Sequence, residues 1–63
     1  MEMLFLSEYI GTKRAAHVFK RRERNDYAVV CYYNDLDKEA YYFKTEADAD
    51  DFAEDWVLVA DTN

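Results

Sequence analysis

The segment Tyr27-Ala-Val-Val-Cys-Tyr-Tyr33 is apolar at every position, so as a strand it places Tyr27, Val29, Cys31 and Tyr33 on one face and Ala28, Val30 and Tyr32 on the other. A strand resting on a core from one side only reads apolar-in and polar-out; this one asks for cover on both sides. Before it, residues 14–22 (Arg-Ala-Ala-His-Val-Phe-Lys-Arg-Arg) read as a first strand. Glu23-Arg-Asn-Asp26 reads as a turn of residues that tolerate left-handed geometry, and residues 27–34 as a second strand. Asp35-Leu-Asp-Lys38 predicts a second turn. Residues 39–43 (Glu-Ala-Tyr-Tyr-Phe) predict a third strand whose rings pair across to those of the second.

The pattern then changes period. Thr45 supplies a helix cap, Asp48 stands three residues on, and Glu46 falls in the first turn, where the helix dipole favours negative charge. A helix is predicted over residues 46–60. At about 100° per residue, Ala49, Phe52, Ala53, Trp56, Val59 and Ala60 gather in one stripe, with Trp56 as the expected principal anchor and Phe52 one turn earlier. Asp48, Asp50, Asp51, Glu54, Asp55 and Leu58 fall opposite, giving an acidic outer face. Residues 1–12 remain two-valued. Met1–Leu6 alternate as a short strand ahead of a loop at Gly11, whereas Leu6, Tyr9, Ile10 and Lys13 also fit a helical turn; the strand is the preferred reading. The expected fold is α+β. It is a single domain over 1–63, a three-stranded antiparallel meander (four-stranded if the first residues pair) with one C-terminal amphipathic helix packed on one face.

A chain of 63 residues holds one domain, and a domain near this size buries only about 60% of its unfolded surface, so it is marginal without a staple or a partner. The single cysteine excludes an internal disulfide, and Cys31, set between Val30 and Tyr32, reads as a buried reduced thiol of a cytoplasmic protein. Met3–Leu6 and Trp56–Ala60 are far shorter than the roughly 18 apolar residues a membrane span needs, and the start carries no basic, cleavable leader. No membrane association is expected.

The net charge of −6 divides unevenly along the chain. Lys13, Arg14, Lys20, Arg21, Arg22 and Arg24 crowd the first predicted hairpin against Glu23 alone, while residues 46–61 hold seven acids and no base. Exposed pairs between the two regions are each worth about 0–1 kcal/mol, which leaves most of this charge for steering a partner.

Candidate chemistry is sparse. Cys31 with His17 would make a nucleophile and base, but bulky apolar neighbours suit a core thiol and an edge histidine better, and no third orienting group is evident. Asp35, Asp37 and Glu39 have the spacing that opens a calcium loop; Ala40 stands where the loop requires glycine, so a turn solvated by acids is the simpler reading. One glycine cannot build a phosphate cradle. Asp51 and Asp55, one helical turn apart, have no further polar group to work with. Neither an enzyme nor a cofactor or metal is expected.

The run Ala16-His-Val-Phe19, then Tyr27–Tyr33, then Glu39-Ala-Tyr-Tyr-Phe-Lys-Thr45 leading into Ala47-Asp-Ala-Asp50 resembles small β-β-β-α proteins of tailed bacteriophages, including cyanophages. The matched motif is the Glu-Ala-x-Tyr-Phe-x-Thr lead-in to the helix, at Glu39, Ala40, Tyr42, Phe43 and Thr45, and it is architectural. The resemblance implies a host-cytoplasm setting in which a very small protein binds and inhibits or redirects a host protein.

Three surfaces can serve a partner. The first, and preferred, is the aromatic sheet (Tyr27, Tyr32, Tyr33, Tyr41, Tyr42), dimerising or gripping a host protein. The second is the acidic helix face (Asp50, Asp51, Glu54, Asp55, Leu58), imitating a phosphate backbone and blocking a nucleic-acid-binding host enzyme. The third is the basic hairpin (Lys20, Arg21, Arg22, Arg24), which beside Tyr32, Tyr41 and Tyr42 would hold single-stranded nucleic acid. Because one helix covers one face of a meander, the other face is expected to be buried in a homodimer or a hetero-complex.

Overall fold

A computed structural model describes residues 3–34 and 37–59. Four strands, β1 (Met3–Ile10), β2 (Arg14–Arg21), β3 (Asp26–Tyr33) and β4 (Asp37–Phe43), form one antiparallel sheet in the order β1-β2-β3-β4, followed by a helix, α1 (Glu46–Val59). The fold is a small α+β meander in its four-stranded form. Residues 3–12 resolve in favour of a strand, and one that runs farther than expected, with Tyr9 and Ile10 inside it; Met1 and Glu2 lie outside the described residues.

Each connection has a local cause. Gly11 N–H donates to the Arg14 carbonyl at 2.7 Å to close the β1–β2 turn. Asn25 and Asn34 adopt left-handed backbone angles (φ 56° and 54°), which asparagine tolerates better than most residues. Their N–H groups donate to the carbonyls of Arg21 and Lys13 at 2.9 and 2.8 Å. The first hairpin turn therefore spans Arg22–Asn25, one residue earlier than the sequence reading, because Asp26 pairs with Arg21 in the ladder. Asp37 and Lys38, read as turn, belong to β4, while Asp35 and Leu36 lie outside the described residues. The helix starts as expected: the Asp48 N–H donates to the Thr45 hydroxyl at 3.1 Å, and the Ala49 N–H to the Thr45 carbonyl at 3.2 Å.

Between Phe5 and Ser7 the β1–β2 register shifts, leaving Leu6 as an extra residue in β1. This bulge re-phases the strand. Phe5 and Glu8 share one face although three residues apart, Tyr9 faces the other, and Leu6 turns in against the core.

The core lies between the sheet and α1. It holds Ala16 and Val18 of β2, Val29 and Cys31 of β3, and Ala49, Ala53 and Val57 of α1, all buried, with Leu6, Tyr9, Tyr27, Phe43, Phe52 and Trp56 packed around them. Alanine at 49 and 53 lets the helix backbone approach the sheet closely. The buried arc of α1 is rotated from the expected stripe: Val57 is inside, and Trp56 is only half-buried. Asp50 and Val57, seven residues apart and thus on one side of a helix, turn together toward the sheet, while Leu58 is 62% exposed as expected. Ala60 and the side chain of Val59 lie outside the described residues.

Candidate functional site: the open face of the sheet

Reading the register across the four strands gives the side of the sheet that α1 leaves bare as four successive rungs. They are Met3–Arg21–Asp26; Phe5–Phe19–Ala28–Tyr42; Glu8–His17–Val30–Ala40; and Ile10–Ala15–Tyr32–Lys38. Every position on the middle strands of the two central rungs is apolar except His17. Both faces of β3 are indeed apolar, and α1 covers only the one with Tyr27, Val29 and Cys31.

The rings on the bare side touch one another. Phe5 meets Phe19 edge-on at 5.6 Å and His17 at 5.8 Å, Phe19 lies 6.3 Å from His17, and His17 lies 5.1 Å from Tyr32. These are the edge-to-face and tilted geometries that aromatic quadrupoles favour. His17 Nε2 also lies 3.0 Å from Glu8 Oε2, which anchors the imidazole in the ring cluster. Phe5 and Tyr42 remain 53% and 54% exposed, whereas Ala28 between Phe19 and Tyr42 is 1% exposed, so the rings form walls around a shallow floor of small side chains.

At one end of this face, Arg21 makes a two-pronged ion pair with Asp26, Nε to Oδ1 at 2.7 Å and Nη2 to Oδ2 at 2.6 Å, and its guanidinium lies 4.0 Å from the centre of the Tyr42 ring. The Arg21 hydrogen bond holds the Asp26 carboxyl below its ordinary range, and the Asp26 partner raises Arg21 in return. The basic hairpin is therefore partly neutralised. Lys20 donates to the Asn25 side chain at 3.2 Å and stacks on Tyr27 at 4.9 Å, while Arg22 and Arg24 are exposed.

The five tyrosines expected to form one partner surface divide between the two sides. Tyr32 and Tyr42 stand on the open face; Tyr27, Tyr33 and Tyr41 stand on the helix side, where Tyr41 packs on Phe52 at 4.9 Å and donates to Glu39 Oε1 at 2.5 Å. The open face also recruits Phe5, His17 and Phe19, which the sequence reading did not place in a site. Phe19 and His17 could have been found from strand alternation; Phe5 could not, because the bulge sets its side.

On α1, Asp51, Glu54, Asp55 and Leu58 are exposed as expected. Asp50 is not part of that outer face. It is half-buried, its Oδ1 has no hydrogen-bond partner, and it lies against Tyr9, whose phenol is pushed up first by burial and then by hydrogen bonding to and the charge of Asp50.

Cys31 and His17 lie on opposite faces of the sheet, since Cys31 pairs with Ala16 and His17 with Val30. The Cys31 thiol is pushed up to about 11, chiefly by burial, so it is neutral near pH 7. His17 sits on an interior strand, not at an edge. A recess of about 370 Å³ beside α1 is lined by Arg14, Cys31, Tyr33, Lys38, Glu39 and Trp56. Among the described residues, no group of three or more His, Cys, Asp or Glu side chains is placed to hold a metal ion, and no helix is long and apolar enough to cross a membrane. Comparison with protein-family models, curated proteins and solved structures finds no match.

Proposed function

We propose that this protein is a non-enzymatic interaction module that docks a protein partner on the open face of its sheet. The observation that supports this most is the bare face itself, with Phe5, Phe19, His17, Tyr32 and Tyr42 gathered around a floor of Ala28 and Val30 and, among the described residues, no element laid over them. Aromatic side chains supply large contact area for little conformational entropy, and they dominate the centres of protein interfaces. The likeness to bacteriophage β-β-β-α proteins adds a context, a host protein inhibited or redirected in the host cytoplasm.

The exposed carboxylates of Asp51, Glu54 and Asp55 support a second reading, an acidic mimic of nucleic acid. Direct nucleic-acid binding has less support, because Asp26 already occupies Arg21. A pull-down from host lysate with three proteins separates the first two: the parent, a Phe5→Lys/Tyr42→Lys variant, and an Asp51→Lys/Glu54→Lys/Asp55→Lys variant. With an untagged copy of the chain added to the lysate, loss in the first variant alone of what the parent captures, host protein or second copy, is the expected result. Loss in the second variant alone, with steep weakening by salt, would make the acidic helix the binding surface.

A further inference from the structure

The rungs of the open face are complementary to themselves. Consider a two-fold axis lying in the plane of that face, parallel to the strands and midway between β2 and β3. It lays β2 of one copy over β3 of the other and keeps every rung opposite its own equivalent. Phe19 then faces Ala28 of the second copy, Ala15 faces Tyr32, and His17 faces Val30, so each large side chain of β2 or β3 meets a smaller one. Arg21 faces Asp26, which joins the two bidentate pairs into one network of alternating charge. Phe5 faces Tyr42, ring against ring. Glu8 and Lys38 stay on the outer strands, where water reaches them.

The other in-plane two-fold axis, perpendicular to the strands, is poorer. It would put Phe19 on His17, Ala28 on Val30, and the Arg21–Asp26 pair over Ala15 and Tyr32, stacking large on large, small on small, and charge on apolar surface.

We infer that the partner on the open face is a second copy of this chain, stacked sheet on sheet about the strand-parallel axis to give a helix–sheet–sheet–helix homodimer. This rests on the docking-face reading above and names its occupant. Aligned sheets pack about 10 Å apart with a mean angle near −30°, so displacement from strict superposition grows away from the centre of the face, toward β1 and β4 and toward the strand ends, and is least at the central Phe19–Ala28 and His17–Val30 pairs; the long Arg21 side chain has the reach to follow Asp26 at the end rung. Four strands about 4.8 Å apart and about 26 Å long give a footprint of about 500 Å² per copy, or about 1,000 Å² in all, the size at which specific interfaces begin. A chain with one cysteine and no internal disulfide gains from that burial the stability that its small core lacks.

The test exploits the reciprocity of Arg21 and Asp26. Sedimentation equilibrium at micromolar concentration should give the parent twice its 7.5 kDa mass. Arg21→Asp and Asp26→Arg each set like charges against one another across the axis, so each alone should dissociate at least about 100-fold more readily. Mixed in equal amounts they should recover a heterodimer, because position 21 of each chain lies against position 26 of the other, and both contacts then join a carboxylate to a guanidinium. Both variants break the pair within the chain, so recovery on mixing reports only the contact between chains. If either variant fails to fold by circular dichroism, Tyr42→Lys, altered at an exposed ring, takes its place and should be monomeric. A monomeric parent, or folded variants that stay apart on mixing, overturns the homodimer. A monomeric parent whose captured partner is lost on Tyr42→Lys would still leave the docking-face reading standing; a monomer indifferent to Tyr42→Lys would remove both.

Discussion

The guanidinium of Arg14 lies 4.4 Å from the centre of the Trp56 ring and donates from Nη1 to the Trp56 carbonyl at 3.4 Å, tying the first residue of β2 to the last turns of α1. The same guanidinium lies 5.4 Å from the Tyr33 ring, and its Nε is buried without a hydrogen-bond partner. Arg14 therefore works here as a flat apolar spacer as much as a cation. Its charge is satisfied by two π faces and a helix-terminal carbonyl.

Trp56→Ala should destabilise the fold by about 3 kcal/mol, at the low end for a tryptophan because the ring is half-buried. Arg14→Met, which keeps the spacer and loses the cation–π contacts, should cost about 1 kcal/mol. Urea unfolding followed by far-ultraviolet circular dichroism measures both. Equal losses would mean that the charge, not the packing, holds the end of the helix.

Gly11 limits how the β1–β2 turn meets the helix. A β-carbon there would sit 2.6 Å from the Val57 carbonyl oxygen, so backbone must move to admit one. Gly11→Ala should lower stability by roughly 1–3 kcal/mol. The exposed Lys13→Ala in the same turn should be within about 0.5 kcal/mol of the parent. Thermal transitions of the two variants make the comparison.

Burial of Cys31 sets an alkaline limit. The folded thiol keeps its proton up to about 11, above its ordinary value of 9.0, so between these values the unfolded chain binds fewer protons than the folded one, and stability falls as pH rises. Below the ordinary value this contribution is intact. Cys31→Ala should remove that part of the slope, leaving the smaller decline from Tyr9 and Tyr41, whose phenols are shifted in the same direction. Denaturant midpoints at a series of pH values from neutral to alkaline test it; parallel curves for parent and variant would refute the assignment.

The carboxylates of α1 should respond to charge reversal in two ways. Asp51→Lys, Glu54→Lys and Asp55→Lys together should keep a cooperative unfolding transition, because all three side chains stand in water. Asp50→Lys should destabilise by more than about 1 kcal/mol, since it drives an ammonium into a half-buried site. Asp50→Asn should bring the Tyr9 titration back toward its ordinary value, observable as the phenolate absorbance band.

The β-branched and aromatic runs of β2, β3 and β4 between polar turns, the Thr45 cap and the exposure of Leu58 were legible in the sequence because each rests on local chemistry. What the sequence hid depends on distance. Whether Tyr27 or Tyr32 faces the helix follows from which side α1 docks, and no residue near either states it. The identity of the innermost helix residues depends on how far the sheet extends beneath α1: once β1 is present, the helix rolls toward it, which draws in Val57 and Asp50 and leaves Trp56 at the margin. Residues 1–12 were two-valued because Leu6, Tyr9, Ile10 and Lys13 keep a helical spacing beside the apolar run Met3–Leu6. The extra residue, Leu6, sets the side of the sheet that Phe5 takes, which no local pattern states.

That extra residue also governs how association can spread from the β1 edge. β1 is an outer strand, and a straight outer strand is a template on which further chains add amide to carbonyl without limit. At Leu6 the cadence of outward donors and acceptors slips by one, so an incoming strand in step with Ser7–Ile10 is out of step with Met3–Phe5. A strand adding along this edge can therefore match only one side of Leu6 at a time. The bulge thus blunts the β1 edge alone; β4, the other outer strand, pairs with β3 without a break, so strand addition, where it occurs, belongs to that side.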